Sequence, residues 1–245
     1  MNENIGNIVV MSFSGNVGKS TLIRHLFMPR LPGYTLKEVE SINTSGNTDA
    51  AVVHGMNIGK HLDDLILSDN TIFDVGASNV EAFIDALKVR EGAHEDIALF
   101  VVPATPDEKQ KLDAVNTVSY LLKYGTDPSK ICVIFNLVPP ALIGDDIAEQ
   151  FKPFFRMKKD YPAMNVSVEN AVYKNELFNK LTRTGYSVAE LASDETDYKA
   201  MIAKETDEKV KAELAKKLTF VRMSKAIEKE LDKLFERMVK HGRDS

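Results

Sequence analysis

The sequence predicts an α/β fold in which a doubly wound, mainly parallel sheet is flanked by helices and followed by a helical C-terminal extension. Short apolar runs alternate with amphipathic segments, which is the pattern of strands joined by crossover helices. Several of these runs, such as 97–102, are rich in apolar residues with little polar alternation, which is typical of strands buried on both faces. Strand-like runs end near residue 193, and strong helix formers follow.

Length and composition favour one globular α/β domain. The chain has 245 residues, of which 44% are hydrophobic and 27% charged, enough apolar side chains for a sizeable core. No apolar run approaches the ~20 residues of a membrane span, and the polar residues 1–4 lead directly into a strand, so we expect no signal peptide. The single cysteine, Cys132, lies in an apolar run and is expected to be a buried thiol. Together these features predict a cytoplasmic protein.

The strands and helix starts follow from local pattern. Strands are predicted at residues 7–12, 34–42, 71–74, 97–102, 131–136 and 164–168. A helix is predicted at 21–28, after the first strand. Three further helix starts carry a capping box, in which Ser or Thr precedes Glu by three residues: Ser78 with Glu81, Thr105 with Glu108, and Ser187 with Glu190.

We divide the chain into a core, 1–193, and a helical C-terminal extension, 194–245, that we expect to pack on the core. Apolar residues recur in the extension at steps of three and four, as on one helix face: Leu214, Leu218, Val221, Ile227, Leu231, Leu234 and Met238. Residues 1–151 carry 11 Lys and Arg against 20 Asp and Glu, whereas residues 152–245 carry 20 against 16. Within the extension, residues 214–243 hold nine Lys and Arg against four Asp and Glu. A basic helical tail on an acidic body indicates either an anionic partner, such as DNA or a membrane surface, or a solvated helix face.

The most informative segment is a glycine-rich loop between the first strand and its helix. Glycine at 15 and 18 lets backbone N–H groups turn inward toward phosphate oxygens, Lys19 brings a positive charge to the outer phosphates, and the Ser20 hydroxyl can bind Mg²⁺. The sequence therefore predicts a phosphate-binding loop formed by Ser14, Gly15, Asn16, Val17, Gly18, Lys19, Ser20 and Thr21.

This loop resembles the deviant Walker A loop of the ParA/MinD family of ATPases, Lys-Gly-Gly-x-Gly-Lys-Ser/Thr, because Phe13 stands where an ordinary phosphate loop has glycine. The segment 71–78 resembles the family's Walker B strand, in which Asp74 would hold Mg²⁺ through water and 75–78 would sense the γ-phosphate. The strand 131–136 resembles the one whose final residue, here Asn136, contacts the base. Pro139 stands where guanine-reading proteins have Asp, so ATP is the expected nucleotide.

Two departures from the family bear on mechanism. The first lysine of the family's loop reaches the phosphates of a partner across an ATP-bridged dimer, and here Ser14 takes its place. The family's second strand is followed by an Asp that orients the attacking water, and an alignment on 45–47 puts Asn43 at that position. The resemblance thus implies Lys19, Asp74 and Asn43 as catalytic residues, and the two departures imply slow hydrolysis.

Within the family the chain looks closest to StbB-type plasmid stability ATPases. This implies an ATP-switched protein that maintains or positions plasmid DNA, forms an ATP-dependent homodimer, and acts through a DNA-binding adaptor. Residues 74–78 also resemble a segment of TraL-like conjugation proteins, so a role in conjugative transfer is one alternative. A metabolic phosphotransferase or ligase with the same core is another.

Overall fold

The computed structural model describes residues 4–39, 62–63, 65–90, 92–182 and 186–244. In this part of the chain, six parallel strands form one sheet in the order β2-β3-β1-β4-β5-β6. The strands are β1 (Asn7–Met11), β2 (Thr35–Val39), β3 (Thr71–Val75), β4 (Ile97–Ala104), β5 (Ile131–Val138) and β6 (Ala171–Tyr173).

Helices connect the strands and cover both faces of the sheet. Those that lie wholly within the described residues are α1 (Lys19–Leu22, continued by a π-helical turn, Ile23–Phe27), α2 (Val80–Val89), α3 (Glu108–Lys123), α4 (Asp145–Gln150), α5 (Lys152–Asp160), α6 (Glu176–Thr182), α7 (Val188–Ala192), α8 (Tyr198–Lys204) and α9 (Glu208–Asp244). The predicted fold class, a doubly wound parallel sheet with a long C-terminal helix, is confirmed.

Two apolar layers sandwich the sheet because successive side chains of β1 point to opposite faces. Val9 and Met11 belong to one layer, which α2, α3 and α5 complete. Ile8 and Val10 belong to the other, which α1, α6 and the second half of α9 complete. All four side chains are fully buried. The strands are thus covered on both sides, as their lack of polar alternation predicted.

Helix α9 has two parts with different packing. Its second half lies on the sheet through apolar side chains on one face, namely Ile227, Leu231, Leu234, Phe235, Met238 and Val239. Its first half packs on α8 in a small separate cluster formed by Tyr198, Leu214 and Val221, with Ile202 and Leu218 at the edge. The apolar stripe read from the sequence therefore serves two separate contacts. The boundary at 193/194 between core and extension stays a prediction.

The prediction of a strand at 164–168 is wrong. Only Asn165 joins β5 there, by an isolated bridge to Cys132, and regular pairing resumes at β6. The Asn170 side-chain amide explains the interruption, because it donates to the Val133 carbonyl at 3.2 Å, while the Asn165 carbonyl still accepts from the Val133 backbone N–H. A side chain thus takes a hydrogen bond that strand pairing would otherwise use.

Two of the three predicted capping boxes are also wrong. Asp107, not Thr105, caps α3, because its side chain accepts from the backbone N–H of Gln110 at 3.0 Å. The Thr105 hydroxyl instead donates to the side-chain oxygen of Gln110. Before α2, Ser78 lies inside a 3₁₀ turn and Asn79 is the N-cap residue, so the helix begins one residue later than predicted. The box of Ser187 and Glu190 at the start of α7 is confirmed.

Candidate functional site

The loop 12–18 lies at the carboxyl edge of the sheet, between β1 and α1. β1 is a central strand with β3 and β4 as its neighbours, and the register places Val10 beside Asp74. The polar end of β3 therefore lies beside the loop. Crevices at the carboxyl ends of parallel strands are the usual ligand sites of open α/β sheets.

The loop backbone contains the left-handed residues that a tight phosphate loop requires. Gly18 has a φ of +86° and Asn16 a φ of +57°, whereas the Val17 side chain between them is fully buried. Gly15 and Asn16 are exposed at the tip. Alternating conformations of this kind can turn successive N–H groups into one concavity, where an anion can be held.

Ser20 and Asp74, which the sequence predicts as Mg²⁺ ligands, lie together. The Ser20 hydroxyl donates to Oδ2 of Asp74 at 2.6 Å, although 54 residues separate them. Ser20 is exposed, and Asp74 is 8% exposed at the end of β3. A hydroxyl and a carboxylate are hard oxygen donors of the kind Mg²⁺ takes alongside phosphate oxygens, so the donor set fits this ion. Lys19, which begins α1, is partly exposed.

Asn136 supports the loop from the neighbouring part of the sheet. Its Nδ2 donates to the Val17 carbonyl at 2.7 Å, and its side chain is 3% exposed. The next residue, Leu137, has a φ of +56°, at the point where the register between β5 and β6 shifts. The side-chain amide thus contacts the phosphate loop itself, and its contact with a base stays a prediction.

Helix α3 holds the other side of the loop. The Phe13 amide N–H donates to Oγ1 of Thr117 at 3.1 Å, and the Ser14 hydroxyl donates to Oδ2 of Asp113 at 2.8 Å. Gln110 Nε2 donates weakly to the Gly15 carbonyl at 3.4 Å. These contacts were not predicted from the sequence. Their only trace in the sequence is polar side chains spaced along one face of an amphipathic helix.

Two predictions lie outside the described residues. They are Asn43, the residue aligned with the water-orienting Asp, and the last part, 40–42, of the strand predicted at 34–42. The segment 75–78, expected to sense the γ-phosphate, does lie beside the end of β2: the Gly76 amide N–H and Asn79 Nδ2 both donate to the Val39 carbonyl, at 3.0 and 2.9 Å.

Other kinds of site find little support in the part of the chain that is described. No group of three or more His, Cys, Asp or Glu side chains there is arranged to hold a metal ion. Cys132 is fully buried, as predicted, and burial raises the pKa of its thiol to about 12, which keeps it protonated and unreactive at neutral pH. No described helix is both long and apolar enough to cross a membrane.

No protein-family model and no curated protein matches this chain. Among solved structures, the chain is similar to the ATP complex of a single-residue variant of Cyanothece McdA. That similarity has a TM-score of 0.46 and 15% sequence identity, and it covers 77% of this chain and 91% of that one.

Proposed function

We propose that this protein is a nucleotide-switched ATPase that binds Mg²⁺-ATP at the loop 14–21 and hydrolyses it slowly. One observation carries the proposal. A glycine-rich loop with left-handed residues lies between a buried strand and a helix, and the serine that follows its lysine donates to an aspartate at the end of the adjacent strand. This is the structural context in which a Gly-Lys-Ser sequence binds phosphate.

Most residues of the loop have a defined role in this proposal. The backbone N–H groups of 15–18 and the Lys19 ammonium would bind the β- and γ-phosphates. Thr21 follows the serine that would bind the metal and completes the loop. Ser20 and Asp74 would hold Mg²⁺, which supplies positive charge against the phosphate oxygens when bound. Asn136 would keep the loop closed through Val17, close to the place where a base is expected.

We further propose that the ATP-bound state is the active one in maintaining or positioning plasmid DNA. The resemblance of the loop and of 71–78 to ParA/MinD-type and StbB-type proteins supports this role. We propose with it that the protein forms an ATP-dependent homodimer and acts through a DNA-binding adaptor. Light scattering with and without Mg²⁺-ATP tests it. For a nucleotide switch, Mg²⁺-ATP alone should raise the molecular mass from monomer to dimer. For a phosphotransferase, the mass should not change when the acceptor substrate is missing.

Exposed lysines on α9 are the surface we propose for contact with DNA phosphates. Lys225, Lys229 and Lys233 are exposed, while the apolar stripe beside them is buried against the sheet. A membrane-surface helix needs an apolar face to insert, so this arrangement favours DNA over lipid. Changing the three lysines to Glu should abolish salt-sensitive DNA binding; unchanged binding, or binding to anionic vesicles alone, would contradict the proposal.

The nucleotide site itself is tested by Lys19→Ala. A charge-assisted hydrogen bond is worth about 1.5–3 kcal/mol, so the change should weaken ATP binding by about ten- to a hundredfold in titration calorimetry. Lys123→Ala, at an exposed lysine in the last turn of α3, is the matched control and should bind normally. Equal ATP affinity in the two variants would remove the basis of the proposed function.

A further inference from the structure

Helix α3 presents three polar side chains to the phosphate loop from a single face. Gln110, Asp113 and Thr117 are spaced three and four residues apart, so they line up along the helix. They contact three consecutive loop residues in reverse order: Gln110 contacts Gly15, Asp113 contacts Ser14, and Thr117 contacts Phe13.

The two loop residues that depart from known phosphate-loop patterns both lie in this contact. The Phe13 ring packs edge-on against Tyr120 of α3, with the ring centroids 5.7 Å apart. Ser14 is 7% exposed, and its hydroxyl points at the Asp113 carboxylate rather than outward. Phe13 and Ser14 therefore both contact α3, so the two departures belong to one set of contacts between the loop and this helix of the same chain.

Helix α3 is a firm support for this contact. The adjoining apolar face of the helix is buried against the sheet through Ala114, Val118 and Leu121. Lys111, itself 9% exposed, donates to the Gln150 carbonyl at 3.0 Å and pairs with Glu108. A functional side chain held by a packed helix is positioned more accurately than one held by a loop.

The bond from Ser14 to Asp113 is the strongest of the three contacts. It is short, at 2.8 Å, and its acceptor is a carboxylate, and hydrogen bonds to ionised acceptors are roughly twice as strong as neutral ones. Ser14 directly precedes the residues whose N–H groups would receive the phosphates. Fixing its side chain therefore fixes the backbone from which those N–H groups project.

We propose that Asp113 is a positioning residue for nucleotide binding: by holding the Ser14 hydroxyl, it keeps the first half of the phosphate loop in the conformation that receives the nucleotide. The inference rests on the proposed function, since it concerns the same site.

The test compares two neutral replacements. Asp113→Asn and Asp113→Ala remove the same charge, but only Asn keeps an oxygen that can accept from Ser14. Titration calorimetry with Mg²⁺-ATP should give a dissociation constant about two- to tenfold higher for Asp113→Ala than for Asp113→Asn. In a Ser14→Ala background, where the donor is missing, the two replacements should bind ATP equally well.

Each outcome bears on the inference. Equal affinity of the two Asp113 variants in the Ser14 protein overturns it, and so does a difference that persists undiminished in the Ser14→Ala background. Thermal unfolding without nucleotide separates a loss of fold from a loss of positioning, because all four variants should melt at similar temperatures. If the unmodified protein binds no ATP, the proposed function fails as well; if it binds ATP and Lys19→Ala does not, only the role of Asp113 is in question.

Discussion

The side chain of Asn136 occupies the space that a Cβ atom on Gly18 would need. Its Nδ2 donates to the Val17 carbonyl, and a Cβ built on Gly18 would overlap that nitrogen. Gly18 also has a φ of +86°, a conformation that costs other residues energy. Glycine is therefore favoured at this position for two independent reasons, the lack of space for a Cβ atom and the left-handed backbone conformation.

Gly18→Ala should destabilise the fold by about 1–3 kcal/mol and weaken ATP binding, because the loop must shift away from Asn136. Gly15→Ala is the matched control for stability, since a Cβ there would meet nothing within 4 Å. Urea unfolding in the absence of nucleotide measures both variants. Similar unfolding free energies for the two would show that the loop adjusts to the extra methyl group at no cost.

Arg30 anchors the long C-terminal helix to the end of the first helical segment. Its guanidinium Nη2 forms ion pairs with Oε1 of Glu228 and Oδ1 of Asp232 in α9, at 2.7 Å each, and the Arg30 side chain is 9% exposed. Burial raises the pKa of Glu228, while Arg30 opposes that shift. The arginine thus compensates for a partly buried carboxylate.

Arg30→Met should lower the free energy of unfolding by about 2–3 kcal/mol, because it leaves Glu228 without its cation. Lys152→Met, which breaks the more exposed pair with Glu149 on another part of the surface, should cost less than about 0.5 kcal/mol. Denaturant unfolding of both proteins gives the comparison. A cost at Arg30 as small as that at Lys152 would mean that the Arg30 ion pairs contribute little to holding α9.

Because of His25, the free energy of unfolding should fall as the pH is lowered from neutral into mild acid. It is 2% exposed, its Nδ1 accepts from the Val188 amide N–H at 3.2 Å, and burial, aided by Arg24, lowers its pKa from 6.5 to about 4. The unfolded chain takes up this proton near pH 6.5 and the folded chain only near pH 4. The stability contribution is therefore complete above pH 6.5 and is lost as the pH falls toward 4.

His25→Gln removes the titrating group while keeping an oxygen that can accept from Val188. The difference in unfolding free energy between the unmodified protein and this variant should shift in favour of the variant from pH 7.5 to pH 5. Other titrating groups are common to both proteins, so they cancel in the difference. A constant difference over that range would show that His25 is protonated equally in both states.

Hydrolysis by the protein alone should be slower than about one turnover per second, the lower end of the ordinary enzyme range. A cationic finger is worth roughly 10³–10⁵ in rate in related chemistry, and Ser14 supplies no charge. Steady-state phosphate release, with Asp74→Ala as the inactive control, tests this expectation. Fast turnover that depends on Asp74 would mean that another residue provides the charge.

Adding a lysine at position 14 extends this test. Ser14→Lys alone should give little acceleration, because the new ammonium would pair with the Asp113 carboxylate that now accepts from Ser14. The double change of Ser14→Lys with Asp113→Asn should hydrolyse ATP faster than either single change. If Ser14→Lys alone is as fast as the double variant, Asp113 does not restrain the side chain at position 14.

Much of the fold could be predicted because it depends on local patterns. The apolar run of β1, the glycines and lysine after it, and Asp74 at the end of another apolar run are all read within a few residues, and parallel strands bring their carboxyl ends together. The Ser20–Asp74 contact was expected from these patterns together with the resemblance of 71–78 to a Walker B strand. The alternating buried faces of β1 and the stripe on α9 follow in the same way.

Only the tertiary structure decided which side chains use the remaining hydrogen bonds. Asn170 interrupts the strand predicted at 164–168 by binding Val133, and Asp107 rather than Thr105 caps α3, because the Thr105 hydroxyl donates to Gln110 instead. The pairing of Ser14 with Asp113 depends on how α3 packs across the sheet, 99 residues further along the chain. A sequence determines periodicity and local spacing, but a polar side chain finds its partner only after the packed elements set the distance between them.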